Sequence, residues 1–166
     1  AMKGYYEFME GKPVSVHIAE IEQPDVPLWA IWALQQYAKE TSKEDCFKKY
    51  GQFIKDVISF IQDNKHPNLK LEENGLLYTD GKDKAVTWMN STANGRPVVP
   101  RTGYIVEFNA LWYNALCFCA SLAATVGEED SQQKLLAQAE KTKQAFLDTF
   151  LNEYGYLYDY VDGNMM

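Results

Sequence analysis

The chain has 166 residues and a formal net charge of −7, from 16 basic and 23 acidic side chains. This length fits a single domain with a core of its own. The negative balance argues against nucleic acid and anionic membrane as partners, because both need a basic face. The sequence has no secretory signal and no apolar run that spans a bilayer. We therefore expect a cytoplasmic protein that handles a neutral ligand.

The three cysteines are sparse and odd in number, which does not fit a disulfide framework. Cys117 and Cys119 lie two positions apart in a helical pattern and so point to different faces. We expect these two and Cys46 to be buried thiols. No group of His, Cys and carboxylate residues has the spacing of metal ligands. We therefore expect no metal and no cofactor.

The first part of the chain predicts an irregular segment followed by a helix. Residues 1–24 show no sustained hydrophobic periodicity. They predict an irregular lead-in segment with one short strand at 14–18. A helix is predicted over residues 27–39, with Asp25 as its N-cap and Pro27 in its first turn. This helix is apolar on most of its sides.

The next segment predicts a one-sided helix and a hairpin. Ser42 and Asp45 have the spacing of a capping box, so the second helix is predicted to begin near Ser42. Its apolar residues form a stripe on one side only. Asn74 and Gly75 lie between short apolar runs and predict a hairpin. Residues 79–103 then predict a long loop interrupted by glycine and proline.

Two further helices are predicted in the second half of the chain. The third, over residues 105–126, is apolar almost all round and ends at Gly127. The fourth, over residues 131–151, has one apolar stripe, and Ser131 and the acidic residues before it are predicted to supply a cap and negative charge at its N-terminus. Helices that are apolar all round thus alternate with one-sided helices. That alternation fits an inner ring of helices surrounded by an outer ring. It fits a stand-alone four-helix domain equally well.

Residues 87–116 combine the side chains that sugar sites need. Indole faces cover the apolar face of a pyranose, and planar polar groups bind its hydroxyls in pairs. In this stretch those groups are Trp88, Arg96, Arg101, Glu107, Asn109, Trp112 and Asn114.

The same stretch resembles the C-terminal α-1,6-glucosidase domain of glycogen debranching enzymes. Residues 87–90 read Thr-Trp-Met-Asn, residues 100–103 read Pro-Arg-Thr-Gly, and residues 106–115 read Val-Glu-Phe-Asn-Ala-Leu-Trp-Tyr-Asn-Ala. Upstream, residues 25–29 read Asp-Val-Pro-Leu-Trp, similar to the family's Asp-x-x-Leu-Trp. Downstream, Gly-Tyr-Leu-Tyr-Asp at 155–159 and Val-Asp-Gly at 161–163 are similar to the family's tail. The matches occur in family order.

The resemblance implies a mainly α fold that is part of an (α/α)6 toroid, with about four of its twelve helices in two inner/outer hairpins. It also implies that the chain is a fragment of an α-1,6-glucosidase domain. The implied reaction is the inverting hydrolysis of α-1,6-linked glucose at glycogen branch points. That reaction needs a protonated carboxylic acid and a carboxylate base about 6.5–9.5 Å apart. The family's acid falls at position 90, and its base lies beyond the end of this chain.

One position departs from the family pattern. Asn90 stands where the family has Asp, and an amide has no acidic proton at neutral pH. Either a nearby carboxylate serves as the acid, with Glu107 as the best candidate, or the protein does not cleave. The substrate-binding residues that the resemblance indicates are Asp25, Trp29, Trp88, Arg101, Glu107, Asn109 and Trp112.

Five of these residues also have a purely structural interpretation. Asp25, Glu107 and Asn109 lie at helix starts, where they can serve as caps or complement the helix dipole, and Trp29 and Trp112 can be core residues. For the whole protein, the alternatives are a toroid that binds α-glucan without cleaving it and a helical interaction scaffold unrelated to sugar. We expect the fragment alone to be inactive. We also expect the fragment to self-associate, because helices that are apolar all round would expose apolar surface to water.

Overall fold

The computed structural model describes residues 23–162, so the predicted strand at 14–18 and nearly all of the lead-in lie outside the described residues. The described part is mainly helical, as predicted, and is consistent with part of a helical toroid. None of its helices has the length and apolar content to cross a membrane. The helices are α1 (Val26–Glu40), α2 (Lys43–Gln62), α3 (Val106–Thr125) and α4 (Glu129–Phe150).

Short strands join the two helical hairpins. A four-stranded antiparallel sheet has the order β1-β2-β5-β6, and β3 pairs with β4 in a separate hairpin. The strands are β1 (Lys70–Leu71), β2 (Leu77–Thr79), β3 (Thr92–Ala93), β4 (Arg96–Pro97), β5 (Gly103–Ile105) and β6 (Tyr160–Val161).

The first two helices begin where the sequence predicts, but their caps differ. The Ser42 hydroxyl accepts a hydrogen bond from the Asp45 main-chain N–H at 3.0 Å, which confirms the predicted cap of α2. Asp25 occupies the N-cap position of α1, yet its side chain makes no capping hydrogen bond. The predicted N-cap position of Asp25 is therefore confirmed, but the carboxyl does not cap the helix.

The connection between α3 and α4 confirms one predicted end and corrects the next beginning. Gly127 has φ +77°. Its N–H donates a hydrogen bond to the Ala124 carbonyl, and the Glu128 N–H donates to the Ala123 carbonyl. This pattern closes the last turn of a helix and requires a left-handed residue, which favours glycine. The fourth helix begins at Glu129. The prediction that Ser131 caps it is wrong, because Ser131 already lies inside the first turn.

Both Asn-Gly pairs of the sequence form turns. Gly75, at φ +90°, closes the predicted hairpin between β1 and β2. Asn94 and Gly95 both have positive φ, the pattern of a two-residue hairpin turn, and they join β3 to β4. This second hairpin lies inside the predicted loop 79–103 and was not predicted.

α3 is the central element of the fold. It packs against each of the other three helices, and most of its apolar side chains are buried between them. α1 packs against α2 and α3. Although α1 is apolar on most sides, Trp29 and Trp32 remain nearly half exposed.

Candidate functional site

A buried arginine joins three parts of the chain at the beginning of α3. The Arg101 guanidinium is 1% exposed and donates from Nη1 to Glu107 Oε1 at 2.5 Å and from Nη2 to Oε2 at 2.6 Å. Nη2 also donates to Asp159 Oδ1 at 2.8 Å. The fork of the guanidinium matches the two oxygens of a carboxylate, so the pairing fixes orientation as well as charge. We call Arg101, Glu107 and Asp159 the arginine cluster.

Each member of the arginine cluster comes from a different segment. Arg101 ends the long loop, Glu107 lies in the first turn of α3, and Asp159 precedes β6. Burial alone would lower the pKa of Arg101, but the hydrogen bonds and charges of its two carboxylate partners outweigh burial and raise it. The cluster therefore holds a fixed positive charge between two negative ones.

A glycine allows these segments to approach one another. Gly103 in β5 has φ +97°, and a Cβ built there would lie 2.3 Å from the Val161 carbonyl oxygen. Only a residue without a side chain fits this conformation and this spacing. The close pairing of β5 with β6 brings Asp159 within reach of Arg101.

The beginning of α1 lies beside the arginine cluster. Asp25 is 5% exposed, and its Oδ1 atom is buried with no hydrogen-bond partner. Burial raises the pKa of Asp25, and the negative charge of Glu107 raises it further. Hydrogen bonds from the main chain and from the Trp29 side chain act in the opposite direction without cancelling the rise. The environment of Asp25 therefore favours its protonated form more than water does.

Trp29 gives the site an aromatic surface. Its side chain is 42% exposed and packs edge-to-face against Trp32, with ring centroids 5.8 Å apart. An exposed indole next to hydrogen-bonding carboxyls is the arrangement with which proteins hold sugar rings. Asp25, Trp29 and the arginine cluster together form what we call the candidate site.

Two further predicted site residues, Asn109 and Trp112, are also buried. Asn109 is fully buried; its Oδ1 accepts from the Leu77 N–H at 2.6 Å, and its Nδ2 donates to the carbonyls of Leu77 and Ile105. Trp112 is also fully buried and belongs to the core. Neither side chain lines a surface with Glu107 in this structure. Asn109 instead fastens β2 to the first turn of α3.

Two other predicted residues lie on the long loop. Trp88 is 65% exposed, and Asn90 is exposed two positions further on. No hydrogen bond or ion pair in residues 23–162 joins either of them to the candidate site. Their place in a sugar site stays a prediction.

The contacts of Glu107 bear on its predicted role as the acid. Both of its oxygens accept hydrogen bonds from Arg101. This is the pairing of an ionised carboxylate, and a proton on either oxygen would displace one of these bonds. The geometry therefore favours a charged, orienting Glu107 over a proton donor.

Sequence reasoning did not assign Asp159 to the site. The signal was present, because Asp159 ends the Gly-Tyr-Leu-Tyr-Asp run of the tail. A motif shows that a residue belongs to a pattern, but it does not show that the side chain reaches an arginine 58 residues earlier.

The described residues offer other features that do not belong to this site. Within residues 23–162, no group of three or more His, Cys, Asp or Glu residues is arranged to hold a metal ion. A cavity of about 440 Å³ lies between the β1–β2 turn, Asn64 and Tyr104. None of the residues that line it belongs to the candidate site.

No curated protein and no solved structure matches the chain significantly. The model of the amylo-alpha-1,6-glucosidase family matches residues 17–166, a range that contains every residue of the candidate site. The chain therefore belongs to the amylo-alpha-1,6-glucosidase family.

Proposed function

We propose that this chain forms part of a glycoside hydrolase domain that removes α-1,6-linked glucose from branch points of glycogen or limit dextrin, with inversion at the anomeric carbon. The observation that carries the proposal is the family match over residues 17–166. The candidate site supports it, because an exposed indole, a buried carboxyl and a paired carboxylate lie together at the beginnings of two neighbouring helices.

The chemistry assigns different tasks to these groups. The indole of Trp29 covers one face of the glucose ring, and the ionised Glu107, held by Arg101, accepts hydrogen bonds from sugar hydroxyls. An inverting reaction also needs an acid at the glycosidic oxygen and a carboxylate that activates water. Asn90 stands at the family's acid position and cannot supply a proton.

A second candidate function follows from that substitution. A protein of this family without an acid would bind α-glucan and leave it intact. The natural protein at its full length separates the two functions when it is mixed with a branched limit dextrin. Release of glucose in the β-anomeric form, followed by NMR, supports the hydrolase. Binding of maltooligosaccharide without glucose release supports the binding module, and the absence of both contradicts any role in α-glucan recognition.

We expect residues 1–166 alone to release no glucose from limit dextrin above a heat-killed control. None of the residues that the resemblance marks in this chain is the base, and acid–base assistance is worth about 100- to 10,000-fold in rate. Glucose oxidase detection over an extended incubation checks this expectation. Measurable release by the purified chain would show that it carries both catalytic groups.

A further inference from the structure

We propose that Asp159 is a positioning residue, which acts through Arg101 to hold the Glu107 carboxylate where it accepts hydrogen bonds from a sugar. This inference rests on the proposed function and deepens it, because it assigns a task to the side chain that the tail of the chain contributes to the arginine cluster.

The orientation of the Arg101 guanidinium depends on its two carboxylate partners. Its Nε atom is buried without a hydrogen-bond partner among the described residues, and the bonds of Nη1 and Nη2 all go to Glu107 and Asp159. A guanidinium fork and a single carboxylate form one flat unit, which can swing as a body on its two flexible stems. A third contact from outside that pair stops the motion, and Asp159 supplies it.

The Nη2 atom of Arg101 is the point at which the two carboxylates meet. It donates to Glu107 Oε2 at 2.6 Å and to Asp159 Oδ1 at 2.8 Å, so both of its hydrogens are engaged. These bonds join charged groups and are short, which gives them strength and direction. A change at Asp159 therefore reaches Glu107 through one shared nitrogen.

The main chain of Asp159 is fastened to the helix start that carries Glu107. Its carbonyl accepts from the Val106 N–H at 3.1 Å, and Val106 immediately precedes Glu107. The two residues after Asp159 form β6, which pairs with β5 directly ahead of α3. Groups that contact a ligand are held in place by hydrogen bonds from residues on rigid elements behind them. Asp159 meets this requirement, because its backbone has a fixed place relative to Glu107.

The exposure of Asp159 separates this task from a purely structural one. Its side chain is 55% exposed, so water solvates the carboxylate and weakens its attraction to Arg101. Arg101 also keeps Glu107 as a partner when Asp159 is removed. The fold therefore loses little, whereas a small displacement of a group that contacts substrate lowers a rate by up to about 100-fold. We expect Asp159 to matter more for turnover than for folding.

A double-mutant cycle on the natural protein at its full length tests the assignment. We expect Asp159→Ala to lower kcat/KM on limit dextrin by about 10- to 100-fold, and Glu107→Ala to lower it further. Because Asp159 acts through Glu107, adding Asp159→Ala to Glu107→Ala should cost little more. If the wild type binds limit dextrin without cleaving it, the same cycle is measured in Kd.

Two further variants separate the carboxylate from the segment that carries it. Asp159→Asn keeps an oxygen that accepts from Arg101, so it should retain more of kcat/KM than Asp159→Ala does. Glu153→Ala is the matched control, because it removes an exposed carboxylate from the turn that precedes Asp159, and it should leave kcat/KM unchanged. Thermal unfolding checks the fold, and the midpoints of all three variants should lie close to that of the wild type.

Other results would overturn the assignment. Losses that multiply in the double variant would show that Asp159 acts independently of Glu107. A fall in the unfolding midpoint of Asp159→Ala that accounts for its lost activity would make the role structural. A wild type that neither cleaves nor binds limit dextrin would refute the proposed function and this assignment together. A functional wild type with an unaffected Asp159→Ala variant would refute the assignment alone.

Discussion

At the scale of single residues, Asp25 links stability to pH in an unusual direction. Burial raises its pKa in the folded protein above the ordinary value of 3.8. Asp25 therefore stabilises the fold fully below that value, and this contribution is lost as the pH rises through the folded-state pKa. We expect Asp25→Asn to match the wild type in acid and to be more stable at neutral pH. Urea unfolding at a series of pH values measures the difference.

The control for this experiment is Asp148→Asn, which removes an exposed carboxylate of the same type. A loss of stability in Asp25→Asn that is the same at every pH would mean that the Asp25 carboxylate makes favourable contacts, contrary to its environment in this structure.

Substitutions of Arg101 separate the contribution of its charge to the arginine cluster from the contribution of its forked shape. Arg101→Met keeps much of the buried stem but leaves Glu107 and Asp159 without their shared donor. Because both carboxylates are partly exposed and water can reach them, we expect a loss of about 1–3 kcal/mol in the free energy of unfolding. Arg101→Lys keeps the charge but loses the fork, so it should recover only part of that loss. Full recovery by lysine would show that orientation is unimportant here.

At the scale of elements, local sequence patterns predict the helices and one hairpin. They do not predict strand pairs whose two strands lie far apart in the sequence. All four helices were predicted to within a few residues, because each has its own apolar period and most have an end signal such as Ser42 or Gly127. Strands of two or three residues are too short to show a period. The pairing of β5 with β6 depends on segments more than 50 residues apart, and no local pattern in either segment indicates it.

The sequence named Asp25, Trp29, Arg101 and Glu107 as site residues, but it did not name Asp159 and did not show what each side chain contacts. Asn109 and Trp112 have the chemistry of sugar-binding side chains, yet the fold uses them to fasten a strand and to fill the core. Asp25 and Glu107 lie in separate motifs of the sequence. Their mutual influence appears only once α1 and α3 pack side by side.

Gly103 tests the pairing of β5 with β6. Gly103→Ala would place a Cβ within 2.3 Å of the Val161 carbonyl oxygen, so the last strand must shift or detach. We expect a stability loss larger than the roughly 1–2 kcal/mol that a left-handed conformation alone costs an alanine. Gly95→Ala is the matched control, because φ is also positive and nothing lies within 4 Å of the added atom. Thermal unfolding of both variants should therefore separate the clash from the backbone strain, and equal losses would contradict the close approach.

At the scale of the whole molecule, the exposed indoles of α1 predict self-association of residues 1–166. Trp29 and Trp32 lie next to each other on α1, and each is more than 40% exposed. Buried apolar surface contributes about 25 cal/mol per Å², which favours a two-fold dimer across such a face. We expect a dimer by sedimentation equilibrium at tens of micromolar, and Trp32→Lys should make the chain monomeric.

Leu136→Lys, which changes an exposed apolar residue of α4, should leave the dimer intact. A strictly monomeric wild-type mass without binding of a hydrophobic dye would refute the prediction.

The bond between Arg101 and Asp159 also has a consequence for biosynthesis. The two residues are 58 positions apart. Because a ribosome adds about 5–20 residues per second, Arg101 exists for about 3–12 s before its second partner is made. During that interval Arg101 can pair only with Glu107, and β5 lacks its partner strand β6. A nascent chain stalled between these two points should therefore be cut by protease at the long loop, and release of the stall should restore protection.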